Sequence, residues 1–380
     1  MDLKECRKNI DRIDEEILKL FTERMNIASN VAEFKKANGM ATMQKDRERE
    51  ILKRVSEMAD SDIEDYARIL FSTLMDLSKS YQNRKNNEKN SALISRINNA
   101  LEKTPKIFPH SGLIACQGIE GAYSQIACDK LFKSADIQYV KTFEDVFLKV
   151  ANGECKYGIL PIENSIHGTV NAVYDLMKNY SFYIVKSIKV KINHVLMSKK
   201  GIDFSKIKEI ISHEQALGQC SEFLKQYPDI KITNCANTAV AAKLVRDSDR
   251  DDIAAISSPD CAEYYGLSVL NENVANSDSN FTRFICISKD LEIYPGADRI
   301  SIIMKLPHTP GALNTTIAKF AAAGLNLTKL ESRPIAGRDF EFSFYFDLEA
   351  SIYSEDALAI LDELATDDNN FVFLGGYIQA

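Results

Sequence analysis

The stretch Asn280-Phe281-Thr282-Arg283-Phe284-Ile285-Cys286-Ile287 sets a hydroxyl and a guanidinium between two aromatic rings and then runs on as an apolar strand. Arginine presents a planar fork suited to a carboxylate, threonine adds a short donor, and flanking rings exclude water, which strengthens both contacts. Alternating polar and apolar residues also describe any half-buried strand. What distinguishes this one is the chain that leads to it.

Upstream, strand-like Leu113-Ile114-Ala115-Cys116 enters the turn Gln117-Gly118-Ile119-Glu120-Gly121-Ala122, ahead of a helix. A second strand, Tyr157-Gly158-Ile159-Leu160, ends in Pro161-Ile162-Glu163-Asn164-Ser165-Ile166-His167-Gly168. Ser212-His213-Glu214-Gln215 follows the strand Glu209-Ile210-Ile211, and Asn237-Thr238-Ala239 opens a helix to Val245. Polar groups repeated at strand C-termini and helix N-termini make an open α/β cleft for an anion, although each one alone is equally a helix cap. The first turn is not GxGxxG, which disfavours a dinucleotide site.

Downstream, Arg299 to Leu306 alternates as a strand, Thr309-Pro310 caps a helix to Ala323, and strands are expected over 325–332 and 340–348. A helix from Ser354 to Leu364 and a strand from Phe371 to Gly375 complete a βαββαβ order.

At the other end, the apolar positions Ile10, Ile13, Ile17, Leu20, Phe21, Ile27, Val31 and Phe34 predict one long helix stopped by Gly39. It would be about 50 Å long at 1.5 Å per residue, and a pattern of that length calls for a partner. Helices follow at 45–58 and 63–81, and three helices so proportioned bury little in one chain, so a dimer is expected. Arg24 and Lys35 fall on nearly one face, whereas Arg7 lies on another and would serve a different pocket. Ser78 and Gln82 share a face of the third helix, and Arg47 and Glu48 are adjacent on the second. Residues 83–110, rich in Asn, Lys, Ser and Glu with apolar residues at Leu93, Ile94, Ile97 and Leu101, read as a polar, partly helical connector.

With 380 residues the chain should hold two or three domains. A net charge of −7 with interspersed signs argues against nucleic acid. The start Met1-Asp2-Leu3-Lys4-Glu5 has no signal-like pattern and no apolar run would span a bilayer, so a cytoplasmic location with no membrane partner is expected. Eight irregularly spaced cysteines read as reduced structural residues, and five histidines without ligand spacing indicate no metal. No cofactor is expected.

Arg7, Arg24, Lys35, Arg47, Glu48, Ser78 and Gln82 together resemble the active-site set of the AroQ-type chorismate mutase family, an intertwined all-helical dimer. Gln44 stands where some members carry Asp. The resemblance implies that the residue matching Arg7 reaches the partner's site. It also implies that Arg7, Arg24 and Arg47 hold two carboxylates, Lys35 and Gln82 donate to the ether oxygen, and Glu48 accepts from the ring hydroxyl. The cleft turns with Thr282-Arg283-Phe284 resemble prephenate dehydratase, a two-lobed α/β domain like a periplasmic binding protein. That resemblance implies Thr282 and Arg283 as catalytic, and Glu163, Asn164, Ser165, Ser212, His213, Gln215, Thr238 and Phe284 as substrate-binding. Gly311-Ala312-Leu313 and Glu331-Ser332-Arg333 resemble the phenylalanine-binding motifs of an α+β ACT domain, implying L-phenylalanine as effector.

The expectation is therefore a multidomain protein: a helical mutase domain over 1–90, a linker over 91–110, a dehydratase domain over 111–290 and an ACT domain over 298–380. Its substrates would be chorismate and prephenate, and it would be a homodimer, or a tetramer. Two other readings stay open: a non-catalytic two-lobed binding protein, and an enzyme with one live activity. A prephenate dehydrogenase is disfavoured by the missing nicotinamide fingerprint.

Overall fold

The computed structural model describes residues 2–38, 45–86, 92–177, 179–335, 341–365 and 370–380. The chain divides into two compact units, Met1–Arg96 with Ile303–Val372, and Ile97–Ile302 with Phe373–Ala380.

Helices α1 (Leu3–Ala37), α2 (Lys45–Met58) and α3 (Glu64–Asn86) follow the apolar periodicity, and α3 continues past the expected end at Tyr81. Gly39 and Gln44 lie outside the described residues. Both α1 and α2 pack on α3, yet Val55 and Met75 are the buried apolar residues of these helices among those described. Helix α4 (Ala92–Lys103) accounts for the helical part of the stretch expected to be a polar, partly helical connector. Its buried Leu93 and Ile94, then Ile97 and Ala100 at three-residue steps, form one helical stripe set among Asn and Lys.

The second unit holds β1 (Ser111–Gln117), α5 (Tyr123–Leu131), β2 (Ser134–Val140), α6 (Phe143–Ala151), β3 (Tyr157–Asn164), β4 (Gly168–Thr169), α7 (Asn171–Leu176) and β5 (Tyr183–Lys191). It continues with β6 (Val195–Ser198), β7 (Glu209–Ser212), α8 (Glu214–Gln219), α9 (Ser221–Leu224), β8 (Lys231–Asn234), α10 (Thr238–Asp247), β9 (Ile253–Ser257), α11 (Pro259–Tyr265), β10 (Ser268–Asn271) and β11 (Phe281–Ser288). The order β5-β11-β3-β1-β2 forms the sheet of one lobe, and β10-β6-β9-β7-β8 that of the other. Strand β11 returns from the second lobe to lie antiparallel between β3 and β5, which is why its motif meets the end of β3. Among the described residues two segments join the lobes, 192–194 and 272–280, and they lie side by side: Ile192 N donates to Asn280 O at 2.8 Å.

Local chemistry sets the helix ends. Helix α11 starts at Ser258, whose side chain accepts from Cys261 N, continues through Pro259, and stops at Gly266 with φ 67°. Apolar side chains of β1, α5, β3, β5 and β11, with Ile114, Ile159 and Phe284 among them, and Phe132 just after α5 form the first lobe's core. Those of β6, β9, α10 and α11 form a core of the second.

The remaining elements, β12 (Arg299–Lys305), α12 (Ala312–Ala322), β13 (Asn326–Pro334), β14 (Phe342–Glu349), α13 (Glu355–Leu364) and β15 (Phe371–Gln379), follow the expected βαββαβ order. β15 is longer than expected, and its end pairs parallel with β5 through Ile378 and Gln379. All eight cysteines are free thiols, and no described helix is long and apolar enough to cross a membrane.

Candidate active sites

In the helical region, Arg24 donates through Nη1 to Leu74 O at 3.0 Å and to Ser78 Oγ. Ser78 Oγ in turn donates to Leu74 O at 2.6 Å and reaches Met25 Sδ at 3.4 Å. Burial pushes the Arg24 guanidinium below its ordinary value, though it stays a cation. Ser78 and Gln82, one turn apart on α3, are both buried, as the shared helical face requires. On α2, Glu48 reaches α3 through Lys79, with Nζ 3.2 Å from Oε1.

Two expected members stand apart. Arg47 donates to Glu50 Oε2 on its own helix at 2.6 Å, with both side chains largely exposed. Arg7 is exposed and lies seventeen residues, roughly 25 Å along α1, from Arg24. The side chain of Lys35 is outside the described residues.

The two-lobed unit gathers its polar groups where the lobes join. Asn164, last residue of β3, donates through Nδ2 to Asn280 Oδ1 at 2.8 Å and to Thr282 Oγ1 at 3.0 Å. Its Oδ1 accepts from Ile166 N at 3.0 Å and His167 N at 2.9 Å, so the amide is oriented from both ends. Ser165 Oγ accepts from Phe281 N at 2.9 Å and donates to Ser279 O at 3.2 Å. Cross-strand register sets Thr282 opposite Asn164 and Arg283 opposite Glu163, and a bulge after Arg283 shifts the register at Phe284. Arg283 is buried, with Nε 3.4 Å from Glu163 Oε2. Phe284 is buried, whereas Phe281 stays partly exposed.

Residues not chosen from the sequence complete this group. Gln219, at the end of α8, accepts through Oε1 from Asn280 Nδ2 at 2.9 Å and pairs with His194 Nε2 at 2.8 Å. Gln219 thus bridges from the second lobe to both connecting segments. His194 is buried, and burial lowers its pKa while the Gln219 bond opposes that shift. A lone histidine beside the apolar run Val195-Leu196-Met197 was the signal available for it.

The other expected groups sit at helix starts of the second lobe. His213 caps α8, its Nδ1 accepting from Gln215 N at 3.3 Å, and Gln215 is exposed. Thr238 opens α10 beside Asn237, which caps it by accepting from Val240 N at 2.8 Å. Ser212 differs from expectation: it is wholly buried and its hydroxyl donates to Ile256 O at 2.6 Å, inside the sheet.

The glycine turn after β1 is tied to the second lobe. Cys261 Sγ donates to Gly121 O at 3.2 Å and Tyr265 OH to Glu120 O at 2.7 Å. A Cβ on Gly121, whose φ is +83°, would fall 2.7 Å from Cys261 Sγ, so this contact requires glycine. Near the C-terminus, Gly311 adopts φ 86° and opens α12 without a side-chain cap, with Ala312 and Leu313 in its first turn. Glu331, Ser332 and Arg333 lie in β13, opposite Tyr345, Phe344 and Ser343 of β14.

Comparison with known proteins agrees with this architecture. Residues 6–83 match the chorismate mutase type II family and residues 114–292 the prephenate dehydratase family. The bifunctional chorismate mutase/prephenate dehydratase of Escherichia coli K12 is 32% identical over 381 residues, spanning 98% of this chain and 95% of the relative. A prephenate dehydratase from Arthrobacter aurescens, solved with L-Phe, is 29% identical with a TM-score of 0.63, covering 70% of this chain and 89% of that one. A structure titled GqqA, a novel type of quorum quenching acylase, is 28% identical with a TM-score of 0.64, covering 70% of this chain and 98% of that one. With both domains in one chain and a relative of matching length that carries both names, this chain belongs to the bifunctional chorismate mutase/prephenate dehydratase family, converting chorismate to prephenate and prephenate to phenylpyruvate.

Proposed function

We propose that Thr282 assists departure of the ring hydroxyl in the dehydratase step and that Arg283, with Glu163, orients a carboxylate. The observation that carries this assignment is the 3.0 Å bond from the doubly anchored Asn164 to the Thr282 hydroxyl. Glu163, Asn164, Ser165, His213, Gln215, Thr238 and Phe284 line or support the cleft, and Ser212 acts from inside the sheet.

In the mutase step Arg7, Arg24 and Arg47 hold the two carboxylates, and Ser78 positions Arg24. Lys35 and Gln82 donate to the ether oxygen, where negative charge grows as the C–O bond breaks, while Glu48 accepts from the ring hydroxyl. No nucleophile is needed, because holding the compact conformer supplies the catalysis.

The site is completed in a homodimer. Along α1 the residues Ile10, Ile13, Ile17, Leu20, Ile27, Val31 and Phe34 are exposed, Ile17 at 59% and Phe34 at 65%. Covering such side chains contributes roughly 1.5–3 kcal/mol each, enough to support a stable pair of chains. L-phenylalanine is the effector, its carboxylate taken by the uncapped start of α12 at Gly311-Ala312-Leu313 and its ammonium by Glu331 or main-chain carbonyls of the Glu331-Ser332-Arg333 segment.

The purified protein, given chorismate without added cofactor, should form phenylpyruvate, and phenylalanine should reduce that rate. Prephenate accumulating alone rejects the dehydratase assignment, and unchanged chorismate rejects the mutase assignment.

A further inference from the structure

Helix α12 packs against α3, and one hydrogen bond gives that contact chemical content: Thr315 Oγ1 donates to Asp76 Oδ2 at 2.9 Å. Asp76 Oδ1 lies 2.8 Å from Lys79 Nζ, which is itself 3.2 Å from Glu48 Oε1. Three elements, α2, α3 and α12, are thus joined by one continuous path of polar contacts. Its members are only partly exposed, Lys79 at 25%, Asp76 at 21% and Glu48 at 30%. Burial lowers the Lys79 pKa, but the carboxylates of Asp76 and Glu48 more than offset it, so the ammonium is held above its ordinary value.

The arrangement has a consequence for Glu48. An unrestrained glutamate on a helix surface samples several rotamers, and ordering it costs on the order of 1–2 kcal/mol. Lys79 engages Oε1 and so restricts the carboxylate before substrate arrives. Lys79 is as flexible as Glu48, and needs its own restraint, which Asp76 supplies from one turn away. Asp76 in turn is tied to Thr315, whose backbone N–H bonds Gly311 O at 2.9 Å at the very start of α12.

We infer that Lys79 is a positioning residue of the mutase site, orienting Glu48, and that Asp76 and Thr315 hold Lys79 in place, so that α12 is a structural part of that site. The inference rests on Glu48 contacting chorismate. Its test uses the full chain and five variants, with mutase turnover read on chorismate and dehydratase turnover on added prephenate as the folding control.

Lys79→Met should lower mutase kcat about tenfold, Lys79→Arg should restore it to within about threefold, and Thr315→Val should lower it about threefold. Glu48→Gln combined with Lys79→Met should fall no further than Glu48→Gln alone, because Lys79 acts through Glu48. A multiplicative loss in that double variant, a Lys79→Met chain as fast as the parent, or a Thr315→Val chain unchanged would each overturn the inference. If Lys79→Met loses both activities, Lys79→Arg decides: recovery of the mutase supports the role and its absence rejects it. Parent-level turnover in Glu48→Gln would instead overturn the assignment of Glu48 itself, and this inference with it.

Discussion

At the residue scale, Thr282 and Asn164 belong to one rigid device. Thr282 is 8% exposed, and its hydroxyl accepts from an amide whose oxygen end is held by two backbone N–H groups. Thr282→Ala should abolish dehydration on added prephenate and leave mutase turnover on chorismate unchanged; loss of both would mean a folding defect. Asn164→Ala should cost about 100-fold in dehydratase kcat, the scale of losing one oriented donor, and near-parent kcat would reject its role. The sequence made Thr282, Asn164 and Glu163 visible because they cluster in short polar motifs at strand ends. It hid Gln219, which is separated from Asn280 by sixty-one residues that only the fold closes.

His194 adds a pH dependence of defined sign. It is buried beside Gln219 and the Tyr123 ring, whose centroid is 6.1 Å away, neither of which carries charge between pH 5 and 7. Burial lowers its folded pKa, with the Gln219 bond opposing, whereas the unfolded chain titrates near ~6.5. The unfolded state therefore binds more protons below ~6.5, so stability from neutral His194 is present above that value and is lost as pH falls toward the folded pKa. The unfolding free energy from urea titration should decline between pH 7 and pH 5.5, by at most about 1.4 kcal/mol per pH unit from this group. His194→Asn should show a smaller decline, and an identical pH profile in that variant would rule the histidine out.

Among elements, α1 was the easiest to read and α4 the hardest. Eight apolar residues, most of them three or four positions from the next, define α1. In α4 the stripe is shorter and set among Asn and Lys, so it read as a polar connector helical only in part, although Ile94 and Ile97 are almost wholly buried. The same stripe that made α1 legible is exposed in the single chain, with Leu20 at 64%. A charge in its middle should therefore oppose association without disturbing the α/β cores. Ile17→Asp is expected to shift the protein toward monomer in sedimentation velocity, cut mutase turnover at least tenfold, and spare the dehydratase. A variant that stays dimeric with full mutase activity would exclude α1 from the interface.

For the whole molecule, the order of segments was legible because the helical period of 1–86 gives way to alternating strands and helices, whose order differs between the two-lobed and βαββαβ parts. Non-local pairing was not: nothing local says that β11 must insert between β3 and β5, or that the end of β15 must join β5. Arg7 presents the same problem between chains. It is exposed and far along α1 from Arg24, so in the proposed dimer one site takes Arg7 from one chain and Lys35 from the other. Arg7→Ala and Lys35→Ala should each lower mutase turnover 100-fold or more, on the order of a lost oxyanion donor. When the two variants are mixed and allowed to exchange subunits, each mixed dimer has one site carrying both lesions and one carrying neither. Random exchange makes half the dimers mixed, so about a quarter of all sites become intact and activity should rise toward about one quarter of the parent's. No recovery, with exchange verified by differently labelled chains, would mean that each site is built within one chain.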